Sequence, residues 1–131
     1  MTDCNSKPMF FSSLGRKNIV ADFTGGTLTS DAGGRLLREV ERRLGLVDQR
    51  AGVINDPRDP ARIHPAQRVM LAQRIFAIAM GYADRNDHPA LRSDPVLAVL
   101  TGRPPSADEP LASSPTLCRL ENRVTRGDLA R

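Results

Sequence analysis

The chain has 131 residues, 40% hydrophobic and 26% charged, with a formal net charge of +4. That length makes one domain with a real core, and the apolar fraction excludes a wholly disordered chain. No run approaches the ~20 apolar residues that span a bilayer, Met9-Phe10-Phe11 is too short for a signal-peptide core, and two cysteines, Cys4 and Cys118, are too few for a disulfide scaffold and suit a reducing, cytoplasmic setting.

Residues 1–17 are polar, without a sustained period, and read as a flexible leader. Ile19 to Asp22-Phe23, then Gly25-Gly26, then Thr27-Leu28-Thr29 predict a β-hairpin, with β-branched flanks around a pair that accepts positive φ. Ser30 or Asp31 is placed to cap a helix whose Ala32, Leu36, Leu37, Val40 and Leu44 form one apolar face, and Gly45 is placed to end it. Its other side carries Arg35, Arg38 and Arg42, with a supportive Glu39–Arg43 pair. A second short helix is predicted over Leu46 to Ile54, followed by a break at Asn55-Asp56-Pro57-Arg58-Asp59-Pro60.

The longest periodic stretch runs from Ala66 to Tyr82, with Arg68 and Arg74 towards its start and middle. It is apolar on two sides: Leu71, Ile75, Ile78 and Tyr82 on one, Val69, Ala72, Phe76, Ala79 and Met80 on the other. Such a helix is central to a bundle or buried between subunits. Residues 83–95 are polar and turn-forming. Asp94-Pro95 is an N-cap and first-turn pair that opens a short helix, Val96–Leu100, with Gly102 beyond. Residues 103–110 are a linker by composition. Ser114-Pro115 repeats the cap logic for a helix with Leu117, Leu120 and Val124 on one face and Arg119, Arg123 and Arg126 on another. The expected fold is mainly α: a short N-terminal β-hairpin, then a small helical bundle of about five to six helices. The expected division is a leader (1–17), a hairpin plus helical domain (18–102), a linker (103–110) and the start of a further helical segment (111–131).

Only Lys7 and Lys17 are lysines, so seventeen of the nineteen cations are arginines. The guanidinium fork matches phosphate oxygens, which suits a nucleic-acid surface, although genomic base composition also favours arginine. Aromatics at 4%, with no Trp, argue against a base-stacking platform for single strands. Asp84, Asp87 and His88 have metal-ligand chemistry, but Asp, Asn and Pro in a row are also standard turn formers. No nucleophile elbow, Cys-x-x-Cys pair or His-Glu-x-x-His motif is present. His64 and His88 each precede a proline, and neither cysteine has a histidine near it in sequence. Residues 114–123 have the general look of a recognition helix, with small polar residues opening it and Arg119, Asn122 and Arg123 projecting. The plainer reading is an amphipathic helix with a solvated basic face.

Four stretches carry a family resemblance: Ala21-Asp22-Phe23-Thr24-Gly25-Gly26-Thr27-Leu28-Thr29-Ser30-Asp31-Ala32-Gly33-Gly34, Leu36-Leu37-Arg38-Glu39, Gly81-Tyr82-Ala83-Asp84-Arg85-Asn86-Asp87-His88, and Leu111-Ala112-Ser113-Ser114-Pro115-Thr116-Leu117-Cys118-Arg119-Leu120-Glu121-Asn122. In this order and spacing, from about Ile19 to Arg126, the chain resembles the N-terminal region of group 1 DDE transposases of bacterial insertion sequences. Cys118 stands where that family more often has serine. The resemblance implies a DNA-transposition enzyme with a ribonuclease-H-like core, in which an Asp-Asp-Glu set holds two Mg²⁺ ions about 4 Å apart for attack on a phosphodiester. It further implies that the catalytic carboxylates lie beyond the matched stretch, so no catalytic role falls on Asp84, Asp87 or Glu121. The resulting expectation is a truncated N-terminal part that binds DNA ends and pairs with a second subunit, inactive by itself. Arg35, Arg38, Arg42, Arg119, Arg123 and Arg126 are its candidate DNA contacts, with no catalytic or metal residues. The alternative is a free-standing helical DNA-binding or oligomerisation module whose dimer seam is the helix 66–82.

Overall fold

A computed structural model describes residues 7–21, 31–59, 61, 63–105 and 109–129, with backbone alone at 126 and 129. Strands β1 (Met9–Leu14) and β2 (Lys17–Ala21) form an antiparallel hairpin, and helices follow it: α1 (Gly34–Leu44), α2 (Leu46–Val53), α3 (Gln67–Ala79), α4 (His88–Leu91), α5 (Pro95–Leu100), α6 (Ser114–Arg123) and α7 (Arg126–Leu129). The fold is mainly α with an N-terminal hairpin, as expected.

The hairpin lies earlier than expected. Ile19, Val20 and Ala21 pair back onto Phe11, Phe10 and Met9. The turn is at Gly15-Arg16, where Gly15 has φ 58°. The Met9–Leu14 strand thus falls in the stretch read as a leader: its β-forming Phe10 and Phe11 meet Val20 and Ile19, for which the Gly25-Gly26 pair predicts a partner further along the chain. The expected turn and return strand, at 22–29, and the candidate cap Ser30 lie outside the described residues.

Local signals place the helix ends. Gly45 has φ 65° and its N–H bonds Glu41 O at 2.7 Å, ending α1 and opening α2. Asp94 accepts from Leu97 N at 2.7 Å and caps α5, with Pro95 in the first turn. Asp31 provides no cap to α1, whose N-cap is Gly33; its carboxylate instead accepts from Tyr82 Oη at 3.0 Å, tying the entry of α1 to the end of α3. The α6 cap is Ser113, one residue before the expected Ser114, and α3 ends at Ala79, with Gly81 at φ 99° beyond it.

The core has two parts. Val47, Ala72, Phe76, Ala77, Leu91, Leu97, Leu100 and Leu111 form the larger. Met70, Ala112, Leu117 and Leu120 form the smaller, and Leu71 packs against both. Helix α3 supplies residues to each, so its burial is inside this chain, and only Ile75 and Ile78 remain as exposed large apolar residues on it.

The orientation of α1 corrects the sequence reading. Leu36 is 57% and Val40 53% exposed, and Leu37 and Leu44 also face outward. The inward face is Gly34, Arg35, Arg38 and Glu41, one stripe at helical spacing. Close packing decides this: a Cβ at Gly34 would stand 2.6 Å from Leu100 Cδ1 and 2.8 Å from Met80 Sδ, so only glycine admits the fully buried Leu100 there. Two of the inward polar groups, Glu41 and Arg38, are partnered in turn. Glu41 accepts from Val47 N at 2.9 Å, and Arg38 Nη1 donates to Leu100 O at the end of α5. Gly102, at φ 89°, lies against the Arg38 guanidinium, where a Cβ would sit 3.2 Å from Nη2.

Candidate nucleic-acid interface

The hairpin and α1 enclose a cleft of about 230 Å³ lined by Ser12, Ser13, Leu14, Ile19, Arg35, Arg38 and Arg42. The spacing i, i+3, i+7 puts the three arginines on one side of α1, and β1 closes over them. Only the tertiary contact adds the serine hydroxyls, a contribution without a sequence signal.

The three arginines differ in state. Arg42 is exposed and bonds Glu39 Oε2 at 3.0 Å. Arg38 is half-buried and anchored to Leu100 O. Arg35 is only 6% exposed, with its guanidinium carbon 5.3 Å from the Phe11 ring centroid. Its Nη2 reaches Ser12 O at a long 3.5 Å, while Nε and Nη1 have no hydrogen-bond partner among the described residues. Burial pulls the Arg35 guanidinium below its ordinary value, opposed by the Glu39 charge. Burial also lowers Arg38, with repulsion from Arg68, Arg35 and Arg42 adding to it, as expected where cations converge. Beside the cleft, Glu39 accepts from Ser12 N at 3.2 Å and from Ser12 Oγ, and the serine hydroxyl and then Arg42 hold its carboxyl below the usual range.

The second candidate arginine group is not brought to this cleft. Arg119 is exposed on α6. Arg123 turns inward: Nη1 donates to Asp56 Oδ1 at 3.1 Å and Nη2 to Gln67 Oε1 at 2.9 Å. Asp56 also holds Arg58 at 2.6 Å, and Gln67 Nε2 closes the end of α2 through Ile54 O at 2.7 Å. Arg123 is therefore a clamp joining α6, the 55–58 loop and the start of α3. The Arg126 side chain lies outside the described residues. Leu117 and Leu120 bury the apolar side of α6 as expected.

Asp84, Asp87 and His88 do not converge. Asp84 accepts from Asn86 N at 2.9 Å and caps the 3₁₀ turn Arg85–Asp87, and Asp87 is exposed. His88 is 0% exposed, with Nδ1 3.3 Å from Gln73 Nε2. Burial, then Arg74, pushes its pKa below the ordinary value, against Glu121 and Asp87. Gln73, also 0% exposed, grips the Ala112 backbone on both sides: Nε2 donates to Ala112 O at 3.0 Å and Oε1 accepts from Ala112 N at 2.9 Å. Periodicity gave no notice of this clamp, because a glutamine on an otherwise apolar helix has no distinguishing pattern. His64 is exposed beside the cis His64–Pro65 bond, and Cys118 is half-buried on α6.

Among the described residues no three His, Cys, Asp or Glu side chains converge as metal ligands. Glu121 is held by Arg74 and by Arg85 at 3.4 Å. The described donor set therefore does not fit a two-metal centre. No helix of the described residues is long and apolar enough to cross a membrane.

The fold and cleft define a small, mainly helical domain with a cationic pocket between an N-terminal hairpin and its first helix. A family model, transposase DDE domain group 1, matches residues 11–131, and the chain belongs to that family, whose role is DNA transposition. No curated protein matches the chain, and no solved structure does.

Proposed function

We propose that this chain is the DNA-end-binding, subunit-pairing part of a cytoplasmic insertion-sequence transposase, and that the described residues form no phosphoryl-transfer centre. The observation that carries the reading is the cleft where Arg35, Arg38 and Arg42 meet the Ser12 and Ser13 hydroxyls. Arginines beside hydroxyls suit the phosphodiester backbone, which positions a protein on a duplex without reading sequence. Arg119 adds an exposed cation on a helix whose opposite face is buried. The Mg²⁺ implied by the resemblance belongs, in this proposal, to the family's catalytic core.

The test is binding of the purified chain to a terminal-repeat duplex across a salt series. Two phosphate contacts, one in the cleft and one at Arg119, predict roughly a 12-fold loss of affinity between 50 and 200 mM salt, from a slope near −0.9 per contact. Absence of binding at low salt refutes the DNA role, and cleavage of the duplex with Mg²⁺ refutes the non-catalytic assignment.

The exposed row Leu36, Leu37, Val40 and Leu44 favours a second reading, oligomerisation. It moves the pairing surface from α3, which is buried within the chain, to α1. Light scattering on the wild type and on the Leu36→Glu, Val40→Glu double variant tests it: a concentration-dependent dimer lost in the variant supports it, and a monomeric wild type refutes it.

A further inference from the structure

We propose that the hairpin–α1 cleft is a binding site for a single phosphate group, held chiefly by Arg35, with Arg42 at its rim. The DNA-binding reading bears only on where that phosphate comes from.

The decisive observation is Arg35. Its guanidinium is 6% exposed, yet Nε and Nη1 have no acceptor among the described residues. A buried charge left without partners is heavily penalised. The Phe11 ring 5.3 Å away supplies a favourable face but no lone pair. Glu39, whose charge acts on Arg35, already accepts from Ser12 and Arg42. An incoming oxyanion gives Arg35 the acceptors it lacks, in the charge-assisted geometry for which guanidinium is best suited.

Size and charge set the ligand class. The cleft, about 230 Å³, has room for a tetrahedral oxyanion, and its described lining carries three arginines and no carboxylate. Arg38, anchored on Leu100 O, fixes a second positive charge at the wall.

The experiment uses the full chain. Thermal unfolding is followed with inorganic phosphate and with sodium chloride at matched ionic strength, for wild type, Arg35→Met and Arg42→Gln. At about ten times the Kd, phosphate should raise the wild-type Tm by roughly 4–8 °C beyond the chloride control. Arg35→Met should fold at least as stably as wild type without phosphate and lose the shift. A merely structural arginine would instead give a less stable variant that retains it. Arg42 is exposed, so Arg42→Gln folds whatever Arg35→Met does, and it should weaken phosphate at least threefold. Equal shifts with phosphate and chloride, or unchanged phosphate affinity in Arg42→Gln and in any folded Arg35→Met, overturn the site.

Two duplexes, with and without a 5′-phosphate, separate the sources. A terminal monoester predicts at least tenfold tighter binding of the phosphorylated end, reduced at least threefold by Arg42→Gln and abolished by Arg35→Met. A backbone diester predicts equal binding, with the variants lowering the salt slope by about one. DNA binding identical in wild type and variants overturns the phosphate site while leaving the DNA role intact. Phosphate stabilisation without DNA binding does the reverse.

Discussion

Replacing Gln73 by Met keeps an unbranched side chain of similar length in the core and removes both halves of a clamp. In the wild type Gln73 Oε1 accepts from Ala112 N at 2.9 Å and Nε2 donates to Ala112 O at 3.0 Å, with Gln73 0% and Ala112 3% exposed. After substitution an amide N–H and a carbonyl stay buried without partners, each costing about 1–3 kcal/mol, and His88 Nδ1 loses its neighbour as well. The expected loss is about 2–5 kcal/mol, a large share of a domain's typical ~5–15. In a chain of this length that lowers Tm by on the order of 10–20 °C. Urea unfolding followed by far-UV circular dichroism measures it as a fall in midpoint at constant slope. Because Ala112 lies just before α6, proteolysis around 109–113 should accelerate in parallel. A loss below about 1 kcal/mol would mean that the 111–113 strap is held by Leu111 and Leu117 packing and that the clamp contributes little.

Two further outcomes follow from named contacts. The His88 pKa is lowered in the fold, so below its ordinary value of about 6.5 the unfolded chain takes up a proton that the folded chain resists. Stability should therefore be flat above that pH and fall as pH drops from about 6.5 towards 5; a Tm unchanged over that range, or the same slope in His88→Asn, contradicts this. Arg123→Ala should destabilise by roughly 1–3 kcal/mol in chemical unfolding, because Asp56 and Gln67 lose a shared partner, whereas exposed Arg119→Ala should leave stability within about 0.5 kcal/mol and reduce DNA affinity in a titration. Equal stability losses in the two variants would refute the distinction.

Much of this protein is local, and the local part was legible in its residues. Gly45 and Gly102 end helices because they accept positive φ, and Asp94-Pro95 opens one because an acceptor and a ring-locked φ meet at the first turn. Periodicity marked α3 and α6 and the buried Leu117 and Leu120, and ordered short motifs carried the family. Which side of a helix turns inward is not local. On α1 the leucines suggested a core face, but Gly34 lets Leu100 come close, and Arg38 finds Leu100 O across 62 residues of sequence. Arg123, equivalent to Arg119 on a helical wheel, is drawn inward by Asp56 across 67. The hairpin moved for the same reason, since Ile19 and Val20 pair with whichever strand reaches them, and that strand was Met9–Leu14. Sequence alone determined the Gly45, Asp94 and Gly102 helix boundaries, the mainly α class and the arginine-rich charge. Tertiary structure decided which arginines are buried, clamped or free, because that choice depends on acceptors and close contacts that helical spacing does not encode.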